Sequence, residues 1–213
     1  MDFWRSNDSS SIIQLALIIV GVITGLIIVI IGLIMTFKYA PWRQPQPLIL
    51  KLQSLSVTNL NISSSLSDAT WNAKLFLANQ NSVLEIFIDK FETLLYYNHS
   101  NRLDPISCSV VEAVHLWPRR QKLVEARYNS RECEGEQPFV EENMAEEMKK
   151  DGEKGGFYLF LGLEFRVKYR TGILYWDYEL KPKCPHLEMQ FVAVTGVGWL
   201  TGDEPRECLV QLP

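Results

Sequence analysis

Between Ser9 and Phe37 the chain carries no charged residue, and Ile12 to Phe37 is almost wholly Ile, Leu, Val, Gly, Ala and Met. As a helix, about 26 residues reach ~39 Å, against a bilayer core of about 30 Å. A helix apolar on every side finds no place on the surface of a water-soluble domain. A cleaved signal peptide would need an apolar region of about 7–15 residues, a basic start and a small-x-small cleavage site. Here the tip holds Asp2, Arg5 and Asp8, and the exit reads Lys38-Tyr-Ala-Pro-Trp-Arg43. The segment is therefore expected to be a single N-terminal transmembrane helix over 12–37, with a short tip (1–11) on one side of the lipid bilayer. Phe3 and Trp4 before it, and Tyr39 and Trp42 after it, suit the aromatic belts of the two interfaces. Gly21 and Gly25 make the Gly-xxx-Gly spacing at which two membrane helices pack closely, and are candidates for homo-oligomer formation through the helix.

The rest of the chain is of another kind. All but one of the 21 basic and all but two of the 25 acidic residues lie from Lys38 onward. The net charge of −4 leaves no basic excess to neutralise phosphates, so nucleic acid is not an expected partner. At 47% hydrophobic residues overall the chain is not a disordered one. The side of the membrane taken by this body is contested by two signals. Lys38 and Arg43 flank the exit and favour a cytoplasmic body by the positive-inside rule. Asn61-Ile-Ser63 and Asn98-His-Ser100 are glycosylation sequons and favour the opposite; Asn7-Asp-Ser9 would serve only in the reverse orientation.

Pro41 to Pro47 reads as a semi-extended spacer, so that 38–47 links rod to body. Period-two alternation with turn signals then predicts strands. Leu48–Thr58 is the first; Trp71, Ala73, Leu75 and Leu77 give a second apolar face, and Asn79-Gln-Asn-Ser82 is a turn. Leu84–Tyr97 is a long run interrupted by Asp89 and Lys90, with Ser107–Val114 and Lys122–Tyr128 as further strands. Phe157, Leu159, Leu161, Leu163, Phe165, Val167 and Tyr169 share one face. A two-residue loop at Thr171-Gly172 would set Val167 opposite Trp176, Phe165 opposite Tyr178, and Glu164 opposite Glu179. Pro138 suits a helix start, Val140, Met144 and Met148 recur every fourth residue, and Asp151-Gly152 is the expected stop. The acidic run Glu132–Glu147 lacks calcium-loop spacing and reads as a solvated face. The expectation is a mainly β fold: an immunoglobulin- or fibronectin-like sandwich of about seven strands with one helix, over 48–213.

Catalytic constellations are scarce. His99, His115 and His186 are the histidines, and Cys184 with His186 could share a strand face as a nucleophile pair; a bridged cysteine beside an exposed histidine is the better reading. Gly196-Val-Gly198, with Gly202 one residue late for a dinucleotide fingerprint, reads as a turn or bulge, and Thr201-Gly-Asp203 as a turn. No cofactor, catalytic or metal site is expected. Trp71 and Trp176 read as core. Trp117, beside Pro118-Arg-Arg120, is the candidate for an exposed partner surface.

Ser54-Leu-Ser-Val57, Asn59-Leu-Asn61, Thr70-Trp-Asn72, Asn79-Gln-Asn-Ser82 and Leu84-Glu-Ile86 follow in an order that, with Tyr96-Tyr97, Gly152–Tyr169, Cys184-Pro185 and Cys208-Leu-Val-Gln-Leu212, resembles one family. It is the plant membrane proteins related to harpin-induced and non-race-specific disease-resistance proteins, whose outer part is a late-embryogenesis-abundant type 2 domain. Gln80 stands where the family usually has proline, His115-Leu-Trp-Pro118 where it tends to Pro-Phe-Tyr-Gln, and Cys108 and Cys133 fall outside its pattern. The resemblance implies a cytoplasmic tip and a body outside the plasma membrane, a non-enzymatic role in defence by signalling or membrane–wall adhesion, and a protein or cell-wall partner. The domain's name suggests desiccation protection as the alternative. It also implies pairing of Cys184 with Cys208, a crosslink contributing roughly 3 kcal/mol, and by default Cys108 with Cys133. Asn61 and Asn98 then become usable glycosylation sites.

Overall fold

The computed structural model describes residues 7–39, 45–60, 69–99, 102–128, 133, 142–192, 195–202 and 204–212. The chain forms two compact units divided between Gln44 and Pro45. The first contains α1 (Asn7–Tyr39), whose apolar stretch Ile13–Thr36 is long enough to cross a membrane. The helix starts earlier and ends later than 12–37, while its apolar stretch falls inside that range. Its two threonine hydroxyls donate back to the helix, Thr24 Oγ1 to Val20 O and Thr36 Oγ1 to Gly32 O, each at 2.8 Å. This satisfies both hydroxyls within the helix itself.

The second unit is mainly β and sandwich-like, with one helix. Its strands are β1 (Ile49–Thr58), β2 (Thr70–Ala78), β3 (Glu85–Ile88), β4 (Phe91–His99), β5 (Arg102–Val111), β6 (Val114–Leu116), β7 (Gln121–Tyr128), β8 (Gly156–Thr171), β9 (Leu174–Leu180), β10 (Lys183–Val192), β11 (Val197–Leu200) and β12 (Arg206–Glu207), with α2 (Glu142–Glu153) before β8. Twelve strands appear among the described residues where about seven were expected, partly because Asp89-Lys90 divides one long run into β3 and β4. The main order is β5-β4-β8-β10-β11-β1-β2-β7, all antiparallel, and β5 lies close to β7, so the sheet curls back on itself. β8 belongs to two layers. Its first half pairs with β4 and β10; its second half pairs with β9 and β3, and β3 carries β6.

Alternation explains the core. Trp71, Ala73, Leu75 and Leu77 on β2, and Phe157 through Tyr169 at every second position of β8, are all buried. A bulge between Leu52 and Ser54 lets Leu52 and Leu55 both face inward despite their odd spacing. Trp71 and Tyr97 both meet the Phe157 ring edge-on, at 6.4 and 6.2 Å between centroids. Thr93 Oγ1 donates to the Tyr128 hydroxyl at 2.9 Å, tying β4 to β7. Tyr97 donates to Asp151 Oδ2 at 2.7 Å, holding α2, whose Met144 and Met148 are buried.

Four expectations are corrected. The β8–β9 loop is Gly172-Ile173, so Val167 faces Tyr178, Tyr169 faces Trp176 and Arg166 faces Glu179; the left-handed φ of +55° at Gly172 suits the first loop position. The shift takes Glu164 out of direct opposition to Glu179, and Lys181 stands between them, 2.7 Å from Glu164 and 4.0 Å from Glu179. Trp176 is half-buried rather than core, since β9 has only its last residue fully covered. α2 runs past Asp151-Gly152 to Glu153, and Gly155, at φ +108°, follows it. Pro45–Pro47 belong to the body rather than to a free spacer: Pro45 is buried, and Gln46 bonds to Asn81 in both directions. Pro138, Val140, Trp4, Trp42 and Asn61 lie outside the described residues, as does the side chain of His99.

Candidate interaction surface

The segment after β6 is fixed by two buried asparagines. Asn79 shares its Nδ2 hydrogens among Leu84 O (2.7 Å), Leu116 O (3.2 Å) and Trp117 O (3.1 Å). Its backbone N–H donates to Arg120 O at 2.9 Å. Asn81 donates from Nδ2 to Asn79 Oδ1 and to Gln46 O, and accepts from Gln46 N–H at 2.8 Å. Arg119 N–H closes on Asn81 O at 3.1 Å, with Arg119 held at φ +59°, a conformation uncommon for a side-chain-bearing residue. A buried, satisfied polar network of this kind specifies one arrangement. It fixes the backbone on which Trp117 stands.

Trp117 is 58% exposed. His115 stacks on Phe87 (4.1 Å, 10° between planes) and tilts against Trp117 (4.7 Å, 45°). His115 Nε2 lies 3.1 Å from Glu85 Oε2. The cross-strand register of β3 and β6 sets Phe87 beside His115, so the three rings form a row. Arg119 and Arg120 are exposed at its end. The row offers flat π surface and nearby cations on a rigid base, suited to stacking and to an acidic or ring-bearing partner.

The other expected sites are dispersed. Cys184 is bonded to Cys208, and Cys108 to Cys133, so both expected pairings are present. Glu92 approaches the sulfurs of Cys108 and Cys133, which are joined to each other rather than offered to a metal. Cys184 and His186 do not share a face: a bulge in β10 leaves Cys184 and Leu187 inside and turns His186 outward at φ +55°. Gly196 is a turn residue (φ +63°) whose carbonyl accepts from Leu60 N–H, and Gly198 lies in β11 where a Cβ would reach Gln190 O at 2.9 Å. Gly21 and Gly25 lie one turn apart on α1 with nothing within 4 Å of a Cβ. Asn98 is half-buried near the end of β4.

Two features escaped the sequence reading. The asparagine network was read only as a turn, since nothing local shows that Asn79 reaches a strand end nearly forty residues away. The outward face of β8 was noted only from Glu164 onward, yet Tyr158 and Phe160 on the same side carry rings. Their signal is continuous apolarity from Phe157 to Leu163 where a half-wet strand should alternate. No family model matches the chain, and no curated protein matches it.

Proposed function

We propose that this chain is a non-enzymatic, single-span plasma-membrane protein that holds a β-sandwich outside the cell and works by presenting the Phe87–His115–Trp117 surface to a protein or cell-wall partner. The observation that carries the reading is a body closed by two disulfides and preceded by an apolar helix of membrane length. Disulfides persist outside the cytosol. The resemblance to the plant harpin-induced and disease-resistance proteins supports a role in defence. Two of the places where this chain departs from that family, Gln80 and His115–Pro118, meet in space: the asparagines flanking Gln80 hold the loop that bears Trp117.

The test is glycosidase treatment of the full chain made in plant cells. A mobility shift that disappears with Asn61→Gln and Asn98→Gln supports the outward body; an unshifted chain whose thiols are free on unreduced mass mapping refutes it. Trp117→Ala is expected to lose partner recovery, and unchanged recovery removes that surface. Induction by elicitor rather than by drying separates defence from desiccation protection.

A further inference from the structure

We infer that Asn98 carries an N-linked glycan that lies on an aromatic platform of the chain's own outer sheet face, so that the sugar is part of the fold's cover. The inference rests on the outward placement of the body proposed above.

Residues 92, 94, 96 and 98 of β4 share one face, opposite the buried Phe91, Thr93, Leu95 and Tyr97. That face should be polar, yet around Asn98 it is not. Tyr96 is two residues away on the same side. Leu103, 45% exposed, is the cross-strand partner of Asn98 on β5. On the other flank Tyr96 pairs with Phe160 and Tyr97 with Leu159, so the next step of that register sets Asn98 across from Tyr158, itself 51% exposed. Directly opposed Cβ atoms are about 4.5–5.5 Å apart, which puts these side chains within reach of the first sugar.

The platform is built. The Tyr96 and Phe160 rings meet edge-on at 5.7 Å. Gly162 leaves the room Tyr96 needs, since a Cβ there would come within 3.1 Å of the tyrosine ring. Burial, with Glu164 and Glu92 nearby, raises the Tyr96 pKa and keeps its ring neutral. Tyr96 and Phe160, with Leu94 and Leu103, line an open groove of about 500 Å³ that is also lined by Glu92, Glu164, Lys181 and Lys183. Exposed apolar patches of this kind are usually covered by something. The sequon at Asn98, two residues from Tyr96 on the same face, supplies a cover: the C–H face of N-acetylglucosamine stacks on the electron-rich face of an aromatic ring, and its hydroxyls face water.

The modification itself is an ordinary transfer. Asn98 Nδ2 forms a bond to C1 of the sugar of a lipid-pyrophosphate-linked oligosaccharide. The C1–O bond to the pyrophosphate breaks, and the amide proton leaves with the lipid pyrophosphate. Asn98 sits one residue from the end of β4, next to the β4–β5 connection, and is half-buried.

The experiment is a mutant cycle on the full chain, made in eukaryotic cells and melted in detergent. Peptide mass mapping reports occupancy of Asn98. Asn98→Gln is expected to lower the melting temperature by about 2–4 °C in the native background and to have no further effect in Tyr96→Ala. Tyr158→Ser serves as a second background if Tyr96→Ala does not fold. An equal loss in all backgrounds, or no loss in the native one, overturns the stacking. A control sequon in the β8–β9 hairpin, Ile173→Asn with Tyr175→Thr, separates the two readings. If it is glycosylated while Asn98 is bare, this inference alone fails; if neither is modified, the outward body fails with it.

Discussion

The rod and the body are made of the same apolar residue types and use them in opposite ways. Every described residue of α1 from Ile13 to Thr36 is exposed, whereas most leucines of the body, with Val57, Val167, Phe157, Phe165 and Trp71, are buried. The difference is period. In the body, apolar residues fall at every second position and leave a face for water. In the rod they fall at every position, so no rotation of one helix hides them. Polar groups divide in the same way. The rod's threonines bond within their own helix, one turn back, while Asn79 and Asn81 bond to segments far off in sequence. The rod satisfies its threonine hydroxyls within one helix; the body draws its stability from long-range contacts.

The largest effect expected from that contrast is at Trp71, which is fully buried and edge-on to Phe157. Trp71→Ala should cost about 3–5 kcal/mol in thermal unfolding of the body, and Ile23→Ala in the rod should leave that transition unmoved. A shift from Ile23→Ala of similar size would break the comparison. Next is the bridge from β10 to the segment that follows β12. Cys184→Ser with Cys208→Ser should lower stability by roughly 3 kcal/mol, read from the denaturant midpoint.

Alkaline pH sharpens the contrast further, because the rod's apolar span has nothing to titrate. Burial pushes Tyr169 up to about 12 from 10.0, against the bond it accepts from Leu48 N–H. Burial raises Tyr128 as well, and burial with Asp151 raises Tyr97. The unfolded chain releases these protons first. Stability is thus level below about pH 10 and falls as pH climbs toward 12, by on the order of 2–3 kcal/mol for Tyr169. Melts over that range should show the decline, and Tyr169→Phe should make it shallower. Asn79→Ala should cost about 1–3 kcal/mol by stranding the carbonyls of Leu84, Leu116 and Trp117, and should speed hydrogen exchange around Trp117. Smallest is Lys168→Ala. Its partner Asp177 is 3.8 Å away at the surface, so the change in melting should correspond to less than about 1 kcal/mol.

What was legible in the sequence was whatever repeats locally. The uncharged run gave α1, and alternation gave the inner faces of β2 and β8 residue by residue. What was not legible depended on distant partners. The β8–β9 register missed by two residues because Thr171-Gly172 and Gly172-Ile173 are both acceptable loops; the ion pairs of Glu164 with Lys181 and Lys168 with Asp177 accompany the second. His186 left the face of Cys184 because a bulge changes the count, and a bulge at Pro185 has no periodic signature. Trp117 was picked out by its cations, but its neighbours Phe87 and His115 are brought together only by strand pairing. The aromatic ground around Asn98 comes from three strands, of which the sequon marks one.

The proposed function requires that α1 stay in the bilayer, uncut, with the β body attached. Its most direct test is the intact mass of the mature chain in membranes washed with alkaline carbonate. The account predicts that the chain remains in the pellet with residues 1–37 in place. A chain released to the wash, or one beginning after Phe37, contradicts it.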